Sequence, residues 1–154
     1  MKQILFLIFF ITAVISGCSL VKTTKTTIVR QGISGLVTAV TGNQMPMKGV
    51  DPMPPKGLAA IIYVYEQTNL SQVTKSNKTG IYTAIQTKRL ATIKTDSVGT
   101  FRIALPVGKY SLFIKSRESY FANDFDQFNN ICLVEVEAQK WTTARIVLNS
   151  AASY

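Results

Sequence analysis

From residue 28 onward the chain is a series of short β-prone runs, each closed by a glycine, proline, asparagine or aspartate signal, and no stretch carries the 3.6-residue apolar period of a helix. That punctuation constrains the fold more than any other feature. Residues 28–40 supply a first strand, weakened by Gly32 and Gly35. Residues 42–57 hold Pro46, Pro52, Pro54 and Pro55, and so cannot lie at the centre of a sheet, because proline has no N–H for the ladder. Residues 58–66 set Ile61, Tyr63 and Tyr65 against Ile62 and Val64, the pattern of a strand covered on both faces. Residues 67–80 are polar and read as a loop, and residues 81–95 read as one long strand or a hairpin pair. Asp96-Ser97-Val98-Gly99 is a turn: the aspartate can bond the backbone just beyond it, and the glycine accepts φ > 0. Residues 100–105 alternate, with Phe101, Ile103 and Leu105 opposite Arg102. After a reversal at Pro106-Val107-Gly108, Tyr110, Leu112 and Ile114 form the next inward face. A longer loop spans residues 117–130, and residues 131–136 and 142–148 close the set. The expected fold is all-β, a sandwich of about seven strands without internal repeats.

Composition narrows the chemistry. The chain has 154 residues, 47% of them hydrophobic and 16% charged, which suits one folded domain rather than a disordered chain. It has no histidine, so Ser-His-Asp and Cys-His catalysis, His-ligated zinc and imidazole acid–base chemistry are unavailable. The close acidic pairs are Asp124/Asp126 and Glu135/Glu137, and the second has the spacing of one solvent face of a strand. The expectation is a chain that is not an enzyme and carries no cofactor. The net charge of +9 is diffuse, with no basic run beyond Lys88-Arg89, so no nucleic-acid footprint is expected.

The N-terminus has its own signature. Lys2 precedes an apolar run over residues 4–15 broken only by Thr12, shorter than the ~20 residues that span a bilayer. Such a start reads as an export signal. Ile15-Ser16-Gly17-Cys18 resembles a bacterial lipobox. The resemblance implies cleavage before Cys18 and acylation of its sulfur and new amino group, palmitate among the chains, which would attach the protein to a membrane. The expected organisation is a signal peptide over 1–17, the lipidated cysteine and a Thr/Lys-rich tether over 18–29, and the domain over 30–150. Cleavage removes Lys2 among the charges and leaves 137 residues with 16 basic and 8 acidic side chains. Cys132 then has no disulfide partner within the chain. Ser19 stands where an aspartate would resemble an inner-membrane retention signal, which implies the outer membrane. Residues 19–31 contain Lys22, Lys25 and Arg30 and no acid, unlike surface-exposed Bacteroidetes lipoproteins, which implies a periplasm-facing protein.

Thr95-Asp96, Gly99, Phe101, Ile103, Pro106, Gly108 and Tyr110 form the pattern TDxxGxFxIxLPxGxYxLxI. It resembles the carboxypeptidase regulatory-like domain, a transthyretin-like (prealbumin-like) Greek-key sandwich. Residues 32–37 and Pro46-Met47-Lys48-Gly49-Val50 resemble that domain's opening strand and following element. Phe121-Ala122-Asn123-Asp124-Phe125 and the final Ala-Ala-Ser-Tyr resemble Bacteroidetes lipoproteins that carry it. The resemblance covers residues 31–149. Each motif residue also has a folding role; the Tyr110 phenol, for example, can bond back across a corner. Carboxypeptidases with this domain keep their zinc in a separate catalytic unit, and transthyretin-like hydroxyisourate hydrolases use histidines and a Tyr-Arg-Gly-Ser-like tail. The resemblance therefore implies a fold without an activity.

Residues 117–130 combine Tyr120, Phe121, Phe125 and Phe128 with Asp124, Asp126 and several amides. Ring faces beside hydrogen-bonding groups suit a glycan or peptide, which makes Tyr120, Phe121, Asp124, Phe125 and Asp126 the candidate ligand-binding residues. The competing reading has two or three of the aromatics plug the end of the sandwich while the polar residues cap turns. Asp124, Asp126, Asn129 and Asn130 offer oxygens to calcium, but Asn129 stands where an EF-hand needs glycine, and no metal is assigned. Met45, Met47 and Met53 lack the histidine or nearby cysteine that a copper site would add, and read as packing residues. Cys132 reads as a small buried hydrophobe. The expected function is a noncatalytic lipid-anchored envelope module that scaffolds a protein partner; the alternative is a glycan- or peptide-binding module using residues 117–130.

Overall fold

The computed structural model describes residues 30–43, 45, 48–49 and 54–153. The signal segment, Cys18 with its tether, and Met47 and Met53 lie outside the described residues. The elements are β1 (Gly32–Asn43), β2 (Lys56–Gly57), β3 (Ile61–Glu66), a single 3-10 turn (Leu70–Gln72), β4 (Val73–Lys75), β5 (Ile81–Ile85), β6 (Arg89–Lys94), β7 (Thr100–Ala104), β8 (Gly108–Ser116), β9 (Ser119–Phe121), β10 (Leu133–Val136) and β11 (Trp141–Ser153).

They form a β-sandwich of two sheets. In the four-stranded sheet β1 is central: β11 runs parallel to it on one side, and β7 and then β2 run antiparallel on the other. The seven-stranded sheet has the order β4-β5-β9-β8-β3-β6, with β10 paired to the start of β8. The expected count of about seven strands is therefore too low. β2, β4 and β9 have only two or three residues each and lie inside stretches that read as loops. Runs that short show no periodicity; their partners' backbone groups make them strands. Residues 81–95 are neither one strand nor a hairpin. β5 pairs with β4 and β9, whereas β6 pairs with β3, so three strands stand between them. The break at residues 86–88 is tied down by Gln86 N donating to Gln72 O (2.9 Å), a Thr68–Thr87 hydroxyl pair (2.6 Å) and Glu66 N donating to Lys88 O (3.1 Å).

Strand register sorts the core. Ile62, Val64, Ile93, Leu112, Ile114 and Phe121 share one face of the larger sheet and belong to the same buried cluster as Ile33, Val37, Phe101 and Ile146 of the smaller one. The opposite face is also covered. There Tyr65 and Tyr82 meet Phe113 edge-on at 5.5 and 6.0 Å, and Tyr120 lies against Tyr63 and Tyr65. The segment after β3 crosses this face. Thr68 N donates to the buried Ser111 Oγ (3.0 Å), and Ile131 N donates to Thr68 O (2.9 Å). As a result all residues from 110 to 114 are buried, where alternation predicts only Tyr110, Leu112 and Ile114. β3 is covered on both faces, as its composition requires.

The central motif behaves as its chemistry dictates. Asp96 Oδ1 accepts from Val98 N (3.1 Å) and Thr100 N (2.7 Å), and Gly99 has φ +87°. The Tyr110 hydroxyl donates to Pro106 O (2.9 Å), closing the corner. Tyr110→Phe is expected to destabilise the fold by about 1 kcal/mol, the net worth of one such bond. A urea unfolding curve with an unchanged midpoint would show that water replaces it.

Candidate ligand groove

The loop between β9 and β10 takes its shape from its own carboxylates. Asp126 Oδ1 accepts from Phe128 N (2.9 Å) and Asn130 N (2.8 Å), while Oδ2 accepts from the Asn130 amide (2.7 Å). Asp124 Oδ1 accepts from Phe125 N (3.1 Å). Asn129 adopts φ +63°, a conformation asparagine tolerates. The loop is stapled to the 3-10 turn by Leu70 N donating to Asn129 O (3.0 Å) and by the Asn69 amide donating to Phe128 O (2.7 Å).

These bonds and the strand register scatter the five residues expected to share a ligand site. Phe121 is 1% exposed, and β9 directs its ring to the inner face beside Ile114 and Ile81, out of any ligand's reach. Tyr120, one residue earlier, faces the tyrosine layer. Burial first, and then a hydrogen bond with Tyr120, pushes the Tyr65 phenol up to about 12. Asp126 caps a turn. Asp124 borders a small cavity of about 150 Å³ with Cys132 and Arg145, at the gap between β10 and β11. Tyr120, half-buried, lines a separate cavity of about 180 Å³ with Tyr63 and Lys115, and Phe125 is the ring of this set that borders a larger groove. Phe125 is 44% exposed and Phe128 is 68% exposed. Tyr120 and Phe121 pack into the sandwich and Asp126 caps a turn, while Phe125 and Phe128 stay exposed, a division that the plug-and-cap reading of two or three packed aromatics allows.

Phe125 borders a groove of about 530 Å³ between residues 75–82 and 123–129. Leu70, Ile81 and Tyr82 supply its other apolar lining, and Asn77, Asn123 and Asn129 contribute amides. Lys75 and Lys78 bring positive charge, and among the described residues no acidic side chain lines the groove. The wall over residues 76–81 is held by Ser76 N donating to Ile81 O (2.9 Å) and Ile81 N donating to Lys78 O (3.2 Å). Gly80 closes that turn at φ +72°, and a Cβ there would press on Ala122 O and the Phe121 ring, both at 3.2 Å. The Asn123 amide donates to Val147 O (3.2 Å) and Asn149 Oδ1 (3.0 Å), which leaves its own oxygen available. Among the described residues, the side chains of Lys75, Asn77, Lys78 and Asn129 have no hydrogen-bond or ion-pair partner. Nothing in the sequence marks this wall: Lys75-Ser76-Asn77-Lys78-Thr79-Gly80 has the composition of any solvated turn.

The other candidates resolve simply. Cys132 is buried at φ +40°, outside the regular strand, and burial raises its thiol above the ordinary 9.0, away from thiolate reactivity. Glu135 and Glu137 face solvent, near Lys109 (3.9 Å) and Lys140 (3.0 Å). Met45 is exposed. Among the described residues no three His, Cys, Asp or Glu side chains converge as a metal site.

Asp126 makes the loop pH-dependent. The Asn130 amide, and then the backbone N–H groups, hold its carboxyl below the ordinary 3.8. The folded loop therefore binds a proton less readily than the unfolded chain. Its contribution is complete above the unfolded value and is lost as pH falls through the lowered folded one. In an acid titration followed by NMR, the Phe128 and Asn130 amide signals are expected to shift together below about pH 3.8. Asp126→Asn should remove that transition. No family model, curated protein or solved structure matches this chain.

Proposed function

We propose that this chain is a noncatalytic lipoprotein of the bacterial outer membrane, anchored through lipid on Cys18 and facing the periplasm, whose transthyretin-like sandwich serves as an interaction module for an envelope protein. The observation that carries this reading is the loop at residues 124–130. Its carboxylates hold it rigid, and it presents Phe125 and Phe128 to solvent. Exposed aromatics are concentrated at protein interfaces, and a pre-ordered loop loses little entropy on binding. The edges at β4, β6 and β11 suit a partner less well. β4 has three residues, and β6 carries Arg89 and Lys94 at its ends. The outer side of β11 is crossed by Thr142 Oγ1 donating to Glu135 O and by Asn123 donating to Val147 O.

Crosslinking of the tagged full-length protein in its envelope, followed by mass spectrometry, tests the reading. One near-stoichiometric protein should be captured, and Phe125→Ser with Phe128→Ser should release it while circular dichroism stays unchanged. A protein with no partner, or a partner indifferent to both rings, would overturn it. A second reading, a glycan- or peptide-binding module, is supported by the unengaged amides and lysines that share the groove with Phe125.

A further inference from the structure

We infer that the groove between residues 75–82 and 123–129 receives an acidic saccharide, one whose sugar rings carry carboxylates. This rests on the second reading above and names its ligand.

A volume of about 530 Å³ lies within the range of small-molecule sites. The lining divides into three kinds of group. Phe125 offers a half-exposed ring, a match for the C–H face of a pyranose. Asn77 and Asn129, whose side chains are unpartnered among the described residues, each present donors and an acceptor, and Asn123 keeps its oxygen as an acceptor. Such groups bond adjacent hydroxyls. Lys75 and Lys78 supply charge that no acid among the described residues of the groove neutralises. The nearest loop carboxylates, Asp124 and Asp126, are turned into their own loop's N–H groups. Two unneutralised ammonium groups favour a ligand with negative charge.

An extended acidic peptide fits less well. Peptides bind sheets by adding a strand to an edge, and the edge beside the groove is β4. It has three residues, and its pairing with β5 is irregular between Thr74 and Lys75, so it offers only a short template for a ladder. Recognition by side-chain amides and a ring face needs no such ladder.

Calorimetric titration of the full-length protein in detergent with trigalacturonate, and with its uncharged methyl ester, tests the inference. The acid should bind, and the ester should bind about tenfold or more weakly, with the difference shrinking as salt rises. Lys75→Gln with Lys78→Gln should lower affinity for the acid about tenfold and abolish discrimination. Phe125→Ala should weaken acid and ester alike. Lys88→Gln with Lys94→Gln removes the same charge outside the groove lining and should change little. Equal binding of acid and ester would overturn the acidic preference and leave the groove as a site for neutral sugar. Equal losses from the two lysine pairs would also overturn it, by assigning binding to diffuse charge. If neither sugar binds while groove substitutions release a crosslinked peptide or protein, the saccharide is overturned and the groove stands. If neither sugar binds and groove substitutions release nothing, both are overturned.

Discussion

Phe113→Ala is expected to lower the stability of the sandwich by about 3–5 kcal/mol, the usual cost of deleting a fully buried aromatic ring. Phe113 is 0% exposed, at the centre of the tyrosine layer on the outer face of β8. Tyr65 and Tyr82 meet it edge-on, with rings 82° and 88° from parallel, and each such pair adds about 0.5–1.5 kcal/mol beyond its buried area. Against a typical total of about 5–15 kcal/mol for a domain, the variant would keep a small margin. Urea unfolding measures the loss, and the near-ultraviolet signal of the tyrosines should collapse with it. Phe113→Leu, which refills most of the space, should cost roughly 1–2 kcal/mol. A loss below about 1 kcal/mol for the alanine variant would mean that the second face is not packed. Tyr82 both touches Phe113 and lines the groove, so the saccharide binding proposed for the groove should weaken in the same variant.

Gly99→Ala should cost on the order of 3 kcal/mol, for a different reason. The residue sits at φ +87°, where an L side chain is strained by about 1–3 kcal/mol. A Cβ would also overlap Val37 O and crowd Leu58 N, at the point where Val37 N donates to Gly99 O (2.8 Å) and Leu58 N donates to Val37 O (3.0 Å). The turn between β6 and β7 would have to withdraw from β1, breaking the bond at Val37. Val98→Ala, one residue away and 62% exposed, should stay within about 0.5 kcal/mol of the parent in the same thermal or urea measurement. Equal stability of the two variants would remove the claim that this glycine is required by the contact between turn and strand.

Much of the fold was legible in the chain because it depends on neighbours in sequence. The Asp96–Gly99 turn and the Tyr110 corner bond link residues four or fewer positions apart, and both stand where residue chemistry places them. The candidate site was less legible. Residues 120–126 are contiguous, so a linear reading groups them, but strand alternation sends Tyr120 and Phe121 to opposite faces. The groove's other wall comes from residues 75–82, brought to Phe125 by the pairing of β5 with β9 and by the staple from residues 69–70 to the loop.

The sequence by itself determined the all-β class, the double covering of β3 and the main reversals, because side-chain period and turn chemistry are local properties. Tertiary structure alone decided that β5 and β6 stand at opposite parts of one sheet, that a second aromatic layer backs β8, and that Phe125 rather than Phe121 faces a groove. A strand's pattern states which face is apolar but not which strand lies beside it. That choice depends on backbone bonds between residues distant in sequence, which leave no periodic trace in either partner.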